Sequence, residues 1–178
     1  KTNTTSTVTT GNSGAGAVAT ANLTVTAAQT ISGAKTVCAT GCDYVNLTGT
    51  SGLFAAINNS TVTGNITANI TGDLTEDGAN ALNQWTESGA GNYTLTIQPS
   101  GGAARTVSGN VNNGLIRLNG ADRVTIDGLN TGGNGLTIIN NSAANNTAVI
   151  LLGSFGAGQG ATNDTIRNTT IPGGSFGS

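Results

Sequence analysis

The chain has no histidine and no methionine, and only two prolines, two cysteines, one tryptophan, two tyrosines and three phenylalanines in 178 residues. Charged residues make up 8%, six basic against eight acidic. Without histidine, the commonest general base and transition-metal ligand is missing. Six scattered cations cannot form the clustered basic face that phosphates require, so no nucleic-acid partner is expected. No apolar run approaches the roughly 18 residues of a membrane-crossing helix, so no membrane span is expected. Disordered chains combine low hydrophobicity with many charges or prolines. This chain is 36% hydrophobic and nearly uncharged, which suits one folded domain with a core.

Its polarity comes from threonine, asparagine and glycine. Thr is β-branched and tolerates a pleated, half-wet surface. Gly and Asn accept the left-handed backbone angles of tight turns. The chain begins at Lys1 without any Met, which predicts an N-terminus trimmed by signal-peptide removal and an extracellular or cell-surface location. Cys38 and Cys42 flank Gly41 in a C-x3-C pair. Zinc needs four ligands, and no further Cys or His exists. A small disulfide in an oxidising compartment is the expectation, with free thiols as the alternative. So short a loop removes little chain entropy, so the bridge would fix a turn more than it stabilises the fold. Asn-x-Ser/Thr sequons are dense, and Asn22, Asn46, Asn65, Asn69 and Asn92 are candidate glycosylation positions. Alternating polar residues in strands create the same triplet without any sugar.

Residues 1–34 read as an extended, uncharged Thr/Ala/Gly arm with too little apolar surface to form a core alone. Residues 35–178 read as the folded domain. In it, Lys35–Cys38 and Asp43–Leu47 read as short strands. Leu53, Phe54 and Ile57 then fall on one face of a short helix over 53–58, with Ser51 placed to cap it. Beyond residue 61 the pattern is strand after short strand, punctuated by Gly, Asn and Asp. It is interrupted by one larger insert, 72–91, that holds Leu82 and Trp85.

An internal repeat decides the fold class. Leu115-Ile-Arg-Leu aligns with Val149-Ile-Leu-Leu at an offset of about 34, and Val124-Thr-Ile-Asp with Asp164-Thr-Ile-Arg at about 40. A loop insertion over 155–160 accounts for the difference. Three short strands per period with variable loops predict an all-β fold: a three-faced solenoid of about three coils whose strands pair with the next coil, with one short helix near its N-terminal end. An antiparallel sandwich is the alternative, but it gives no reason for the repeat.

Val37-Cys-Ala-Thr-Gly-Cys-Asp-Tyr-Val-Asn-Leu followed by the helix over 53–58 resembles the opening of right-handed β-helix proteins of the pectate-lyase type. Ala121-Asp-Arg-Val-Thr-Ile-Asp-Gly-Leu-Asn and Asn163-Asp-Thr-Ile-Arg-Asn-Thr-Thr-Ile resemble the rungs of secreted bacterial surface and adhesin modules. The resemblance covers roughly residues 36–172 and implies fold, a right-handed parallel β-helix with one N-terminal capping helix, more than activity. Enzymes of that fold use clustered Asp residues for calcium or acid/base work. Here Arg167 stands one coil beyond Asp127, where a second carboxylate would be needed. Asp122 and Asp164 are explained by Asx turns. The chain is therefore expected to be no enzyme and to need no cofactor.

Three other features invite a ligand. Asp73, Glu76 and Asp77 form the one acidic cluster and a weak calcium candidate, without the alternating spacing of calcium loops. Thr-x-Thr pairs such as Thr94/Thr96 suggest an ordered-water face, but their irregular spacing suits plain outward strand positions. Tyr44, Trp85 and Tyr93 could stack on a glycan, although isolated aromatics more often anchor packing.

A solenoid end exposes apolar residues and unpaired strand edges unless capped. A helix is expected at the N-terminal end, and the sequence offers no cap after Thr169-Thr-Ile. The functional expectation is a structural subunit of an extracellular filament, its partners copies of itself, stacked head to tail with the arm donated as a strand to a neighbour. The alternative is a glycan- or surface-binding segment of a larger bacterial adhesin.

Overall fold

The computed structural model describes residues 5–8, 21–24 and 28–172. The strands are β1 (Thr5–Val8), β2 (Ala21–Thr24), β3 (Thr30–Val37), β4 (Thr61–Ile70), β5 (Leu74–Glu76), β6 (Leu82–Asn83), β7 (Thr86–Glu87) and β8 (Leu95–Pro99). Then come β9 (Ala104–Gly109), β10 (Gly114–Asn119), β11 (Val124–Asp127), β12 (Gly135–Asn140), β13 (Ala148–Gly153), β14 (Thr165–Arg167) and β15 (Thr169–Thr170). The single helix among the described residues, α1, spans Leu53–Asn58.

From β3 onward every pairing between these strands is parallel, and each joins strands about one coil apart in the chain. The orders are β3-β4-β8-β11-β14, with β7 also on β4; β5-β9-β12-β15; and β6-β10-β13. Parallel pairing needs a crossover between partners, and here each crossover is the rest of one coil. The result is a β-solenoid of about four turns. The repeat read from the sequence is the true register, since Ile116 pairs with Ile150 and Thr125 with Thr165. The six-residue excess lies in the loop closed by the Ser154–Gly160 bridge.

The coil count corrects the expectation of about three. Residues 72–91 are no insert, because they carry β5, β6 and β7 and complete a turn. Strands of two or three residues leave too little alternation to see in sequence, and only their partners one coil away hold them. The expected strand over 43–47 reduces to one bridge, Val37 with Tyr44. The Cys38–Cys42 disulfide turns the chain there, and Asp43 Oδ2 takes the Thr36 N–H and hydroxyl at 2.8 and 2.9 Å. These bonds, rather than the Lys35 charge, hold the exposed Asp43 carboxyl below its ordinary range. β3 runs across the expected boundary at 34/35, and Ile31 is already buried in the core.

The core is a single column of side chains pointing inward from all three faces. Ile66, Leu95 and Val124 stack on one face, and Leu74, Val107 and Ile138 on the next. Leu82 and Leu118 stack on the third. Identical aliphatic positions one strand spacing apart pack at near-constant shape, which lets loops vary without disturbing the interior. α1 closes the first coil with Leu53, Phe54 and Ile57, all fully buried. Its start is not capped by Ser51. Gly52 is the N-cap and makes no side-chain bond. The free helical N–H groups are instead met by backbone, Leu53 N donating to Asn46 O at 3.1 Å and Phe54 N to Leu47 O at 2.9 Å.

Candidate functional site

The two ends of the solenoid differ. At the N-terminal end, loop and helix seal the core. At the other end β13, β14 and β15 each pair on one side only among the described residues. The apolar side chains that would face a further coil are left in water: Leu152 is 48% exposed, Ile171 42% and Ile166 40%. The equivalent residues one coil back, Leu118 and Ile126, are 1% exposed. Together these apolar side chains and the unpaired backbone groups beside them make an uncompensated surface among the described residues.

The acidic cluster is taken apart by the fold. Glu76 is 3% exposed and points inward. Its Oε1 accepts Leu47 N at 2.8 Å, and its Oε2 accepts Thr48 N at 2.7 Å and the Thr48 hydroxyl at 2.6 Å. The same hydroxyl accepts Gly78 N at 3.0 Å. Asp73 faces outward and accepts Thr106 N at 2.8 Å, while Asp77 closes a turn onto Ala79 N at 2.9 Å. Among the described residues no three Asp, Glu, Cys or His side chains gather as a metal site, so the calcium candidate Asp73/Glu76/Asp77 is not assembled. Burial pushes the Glu76 carboxyl above its ordinary range, against the pull of the Thr48 and Leu47 bonds.

Four further carboxylates join coils: Asp127, Asp122, Asp164 and Glu87. Asp127 is buried, and its Oδ2 accepts Arg167 Nε at 2.9 Å and Nη2 at 2.8 Å, one coil on. Its Oδ1 accepts Asn168 Nδ2 and Leu129 N, each at 2.9 Å. The Asn168 bond, then those from Leu129 and Arg167, hold Asp127 below its ordinary value and outweigh its burial. A depressed carboxylate stabilises the fold above its unfolded value and loses that contribution as pH falls through its folded value. Asp127→Asn is therefore expected to destabilise the protein near neutrality and to match wild type once the pH is below the folded value. Thermal melts of both proteins across the acid range measure this, and a pH-independent gap would show that Asp127 acts by shape alone. Asp122 and Asp164 are also coil-to-coil links rather than Asx turns: Asp122 Oδ1 accepts Thr162 N at 2.9 Å, and Asp164 Oδ1 accepts Val124 N at 2.8 Å.

Glu87 ties a second knot. It accepts Trp85 Nε1 at 2.9 Å, Asn92 N at 2.8 Å, Tyr93 N at 3.1 Å and Arg123 Nη2 at 2.6 Å. Burial alone would raise its carboxyl, but the bonds from Trp85, Asn92 and Arg123 outweigh it and hold it below its ordinary value. The Arg123 guanidinium lies 5.9 Å from the Trp85 ring centroid. Trp85 and Tyr93 are thus half-buried packing groups, while Tyr44 sits on the first rung, so the three aromatics do not line one groove.

Threonines do align, although their spacing in the sequence hides it. Thr67, Thr96, Thr125 and Thr165 stand in one outward column, and Thr106, Thr137 and Thr170 in another. Variable loops between rungs scramble the linear spacing. The first column is single file, since the residues two places on are Asn69, Gln98, Asp127 and Arg167. Of the sequon asparagines, Asn65 and Asn92 are exposed, whereas Asn46 and Asn69 are half-buried. Asn46 Oδ1 accepts Gly49 N at 3.1 Å, and Asn69 Oδ1 accepts Gln98 Nε2 at 3.1 Å. The side chain of Asn22 lies outside the described residues.

No helix among the described residues is long and apolar enough to cross a membrane. No family model, no curated protein and no solved structure matches the chain. The class of protein is defined by the fold: a β-solenoid of about four turns with one short helix.

Proposed function

We propose that the chain is a non-catalytic structural subunit of an extracellular filament, a coil of the right-handed pectate-lyase type that stacks head to tail with copies of itself. The observation that supports this most is the bare apolar end formed by Leu152, Ile166 and Ile171. A second copy suits it by polarity. The outer edge of β3 and that of β14 are the two ends of one parallel five-strand stack. A copy shifted along the axis brings its β3 beside β14 in the same parallel sense. Such a contact is heterologous and does not close, which produces fibres. The N-terminal segment adds to the joint by β-strand addition. A disulfide suits an oxidising, extracellular setting. The pairing of Asp127 with a cation, and the enclosure of Glu76, suit a chain without acid/base chemistry.

The test is electron microscopy of the purified protein together with the double variant Leu152→Lys/Ile166→Lys. Fibres from wild type and dispersed particles from the variant are expected. Both positions are exposed, so the variant's own stability should move by less than about 1 kcal/mol. Fibres from both proteins would sink the stacking surface. Removing residues 1–27, which leaves β3 whole, should shorten or abolish the fibres. Dispersed wild-type particles would overturn the filament reading in favour of a glycan- or surface-binding segment of a larger adhesin, in which neighbouring coils of the same chain cover the open end.

A further inference from the structure

Three Asn-Gly pairs occur in the chain, at Asn113, Asn119 and Asn134. This dipeptide is chemically the most prone to lose its side-chain amide, because glycine leaves the following backbone nitrogen unshielded. The fold treats the three differently. Asn119 donates its Nδ2 to Asn83 Oδ1 at 3.2 Å, and the next nitrogen, Gly120 N, is committed to Gly153 O at 3.1 Å. Asn134 accepts Gly102 N at 3.1 Å and donates to Thr131 O at 3.3 Å, so both ends of its amide are held. Asn113 alone has the following nitrogen turned onto its own side chain, Gly114 N lying 2.8 Å from Asn113 Oδ1. Its side chain is exposed to water. The carbonyl of the same peptide unit, Asn113 O, accepts two donors, Asn140 Nδ2 at 3.1 Å and Ala148 N at 3.3 Å.

We propose that Asn113 is a site of self-catalysed deamidation. The reacting nitrogen is that of the 113–114 peptide, and it becomes nucleophilic by giving its proton to hydroxide, which forms water. The negative charge then spreads onto Asn113 O, where Asn140 and Ala148 donate into it, as an oxyanion hole does. The nitrogen attacks Asn113 Cγ from within the same residue pair, an intramolecular approach in which the 2.8 Å contact to Oδ1 already holds the two groups together. The new N–Cγ bond forms, the Cγ–Nδ2 bond breaks, and Nδ2 takes a proton from water and leaves as ammonia. Water then adds to either carbonyl of the five-membered succinimide and yields aspartate or isoaspartate. The new carboxylate arises at the wall of a cavity of about 160 Å³ that Asn113 shares with Arg117, whose buried Nε has no acceptor. The isoaspartate product lengthens the backbone by one atom at the entry to β10, the strand that pairs with β13.

The full-length folded protein is aged in warm, mildly alkaline buffer and mapped by peptide mass spectrometry, with enzymatic methylation to count isoaspartate. Position 113 should convert at least about tenfold faster than 119 and 134, the effect of one well-placed hydrogen bond on a rate. The same protein aged in denaturant should convert all three at similar rates, because only the fold distinguishes them. Equal rates in the folded protein, or a slower reaction at 113 than in the unfolded chain, would overturn the proposal. Asn113→Gln should remove the fast component of ammonia release while leaving the circular dichroism spectrum unchanged, and its persistence would also overturn it.

Discussion

Replacing Glu76 by alanine is expected to lower the unfolding free energy by about 3 kcal/mol, because it strands buried donors that have no water to turn to. Leu47 N, Thr48 N and the Thr48 hydroxyl all converge on this carboxylate. They belong to the loop that feeds α1, whereas Glu76 belongs to β5 of the next coil. The bond set is therefore what fastens the capping loop to the stack. Glu76→Gln keeps the shape and one acceptor oxygen but turns an N–H group toward a donor, so a smaller loss is expected. The pH dependence separates charge from shape. A carboxyl raised in the folded state takes up its proton more readily there than when unfolded. Stability relative to Glu76→Gln should therefore rise as pH falls from neutrality through the folded value toward the ordinary 4.5, and level off below it. Denaturant melts of the wild type and both variants across that range give the result. A gap that narrowed on acidification would mean that the three donors, not burial, dominate the site.

Phe54→Ala is expected to cost about 3–5 kcal/mol, the range for removing a fully buried aromatic. Phe54 is 0% exposed and lies on the helix that seals the first coil. The loss would be felt beyond the cavity itself, because a loosened helix uncovers the buried sides of β3 and β6, Leu82 among them. The variant should then show apolar dye binding and aggregation at both ends of the solenoid rather than at one. Calorimetry and dye fluorescence would register the change. A loss below about 1 kcal/mol would mean that the helix is dispensable and that the coil stack holds without its seal.

The two experiments address opposite ends of one object. At the sealed end the uncharged core is protected by a helix, a disulfide-bounded turn and one buried carboxylate. At the other end, among the described residues, comparable aliphatic positions such as Leu152 and Ile166 are exposed. A solenoid adds stability coil by coil through nearest-neighbour contacts, so its last coil is always its weakest. The contrast between Leu118 and Leu152, equivalent residues one coil apart, expresses that difference in a single pair.

Much of this was legible from residue order. The alternation of Ile, Leu and Val in short runs required strands, the repeat of Leu115–Leu118 at Val149–Leu152 required stacking between coils, and Leu53, Phe54 and Ile57 required a helix with one apolar face. Those features depend on local periodicity and on recurrence along the chain, both of which a sequence carries directly. The partners of individual polar groups depend on which coil lies above which, and loops of unequal length erase that from the linear order. Tertiary structure alone drew Glu76 inward while Asp73 and Asp77 stayed outside. It set Asp127 against Arg167, gathered scattered threonines into columns, and turned β5, β6 and β7 from an apparent insert into a complete turn. The same stacking aimed Gly114 N at Asn113 and left the other two Asn-Gly pairs occupied. Composition determined that the chain would be a nearly uncharged stack of strands, because Thr, Asn and Gly favour pleats and turns and offer no other core. Position within the stack decided which of its few charged groups hold coils together, because a carboxylate's role is set by the donors brought within about 3 Å of it, and those come from residues a whole coil away.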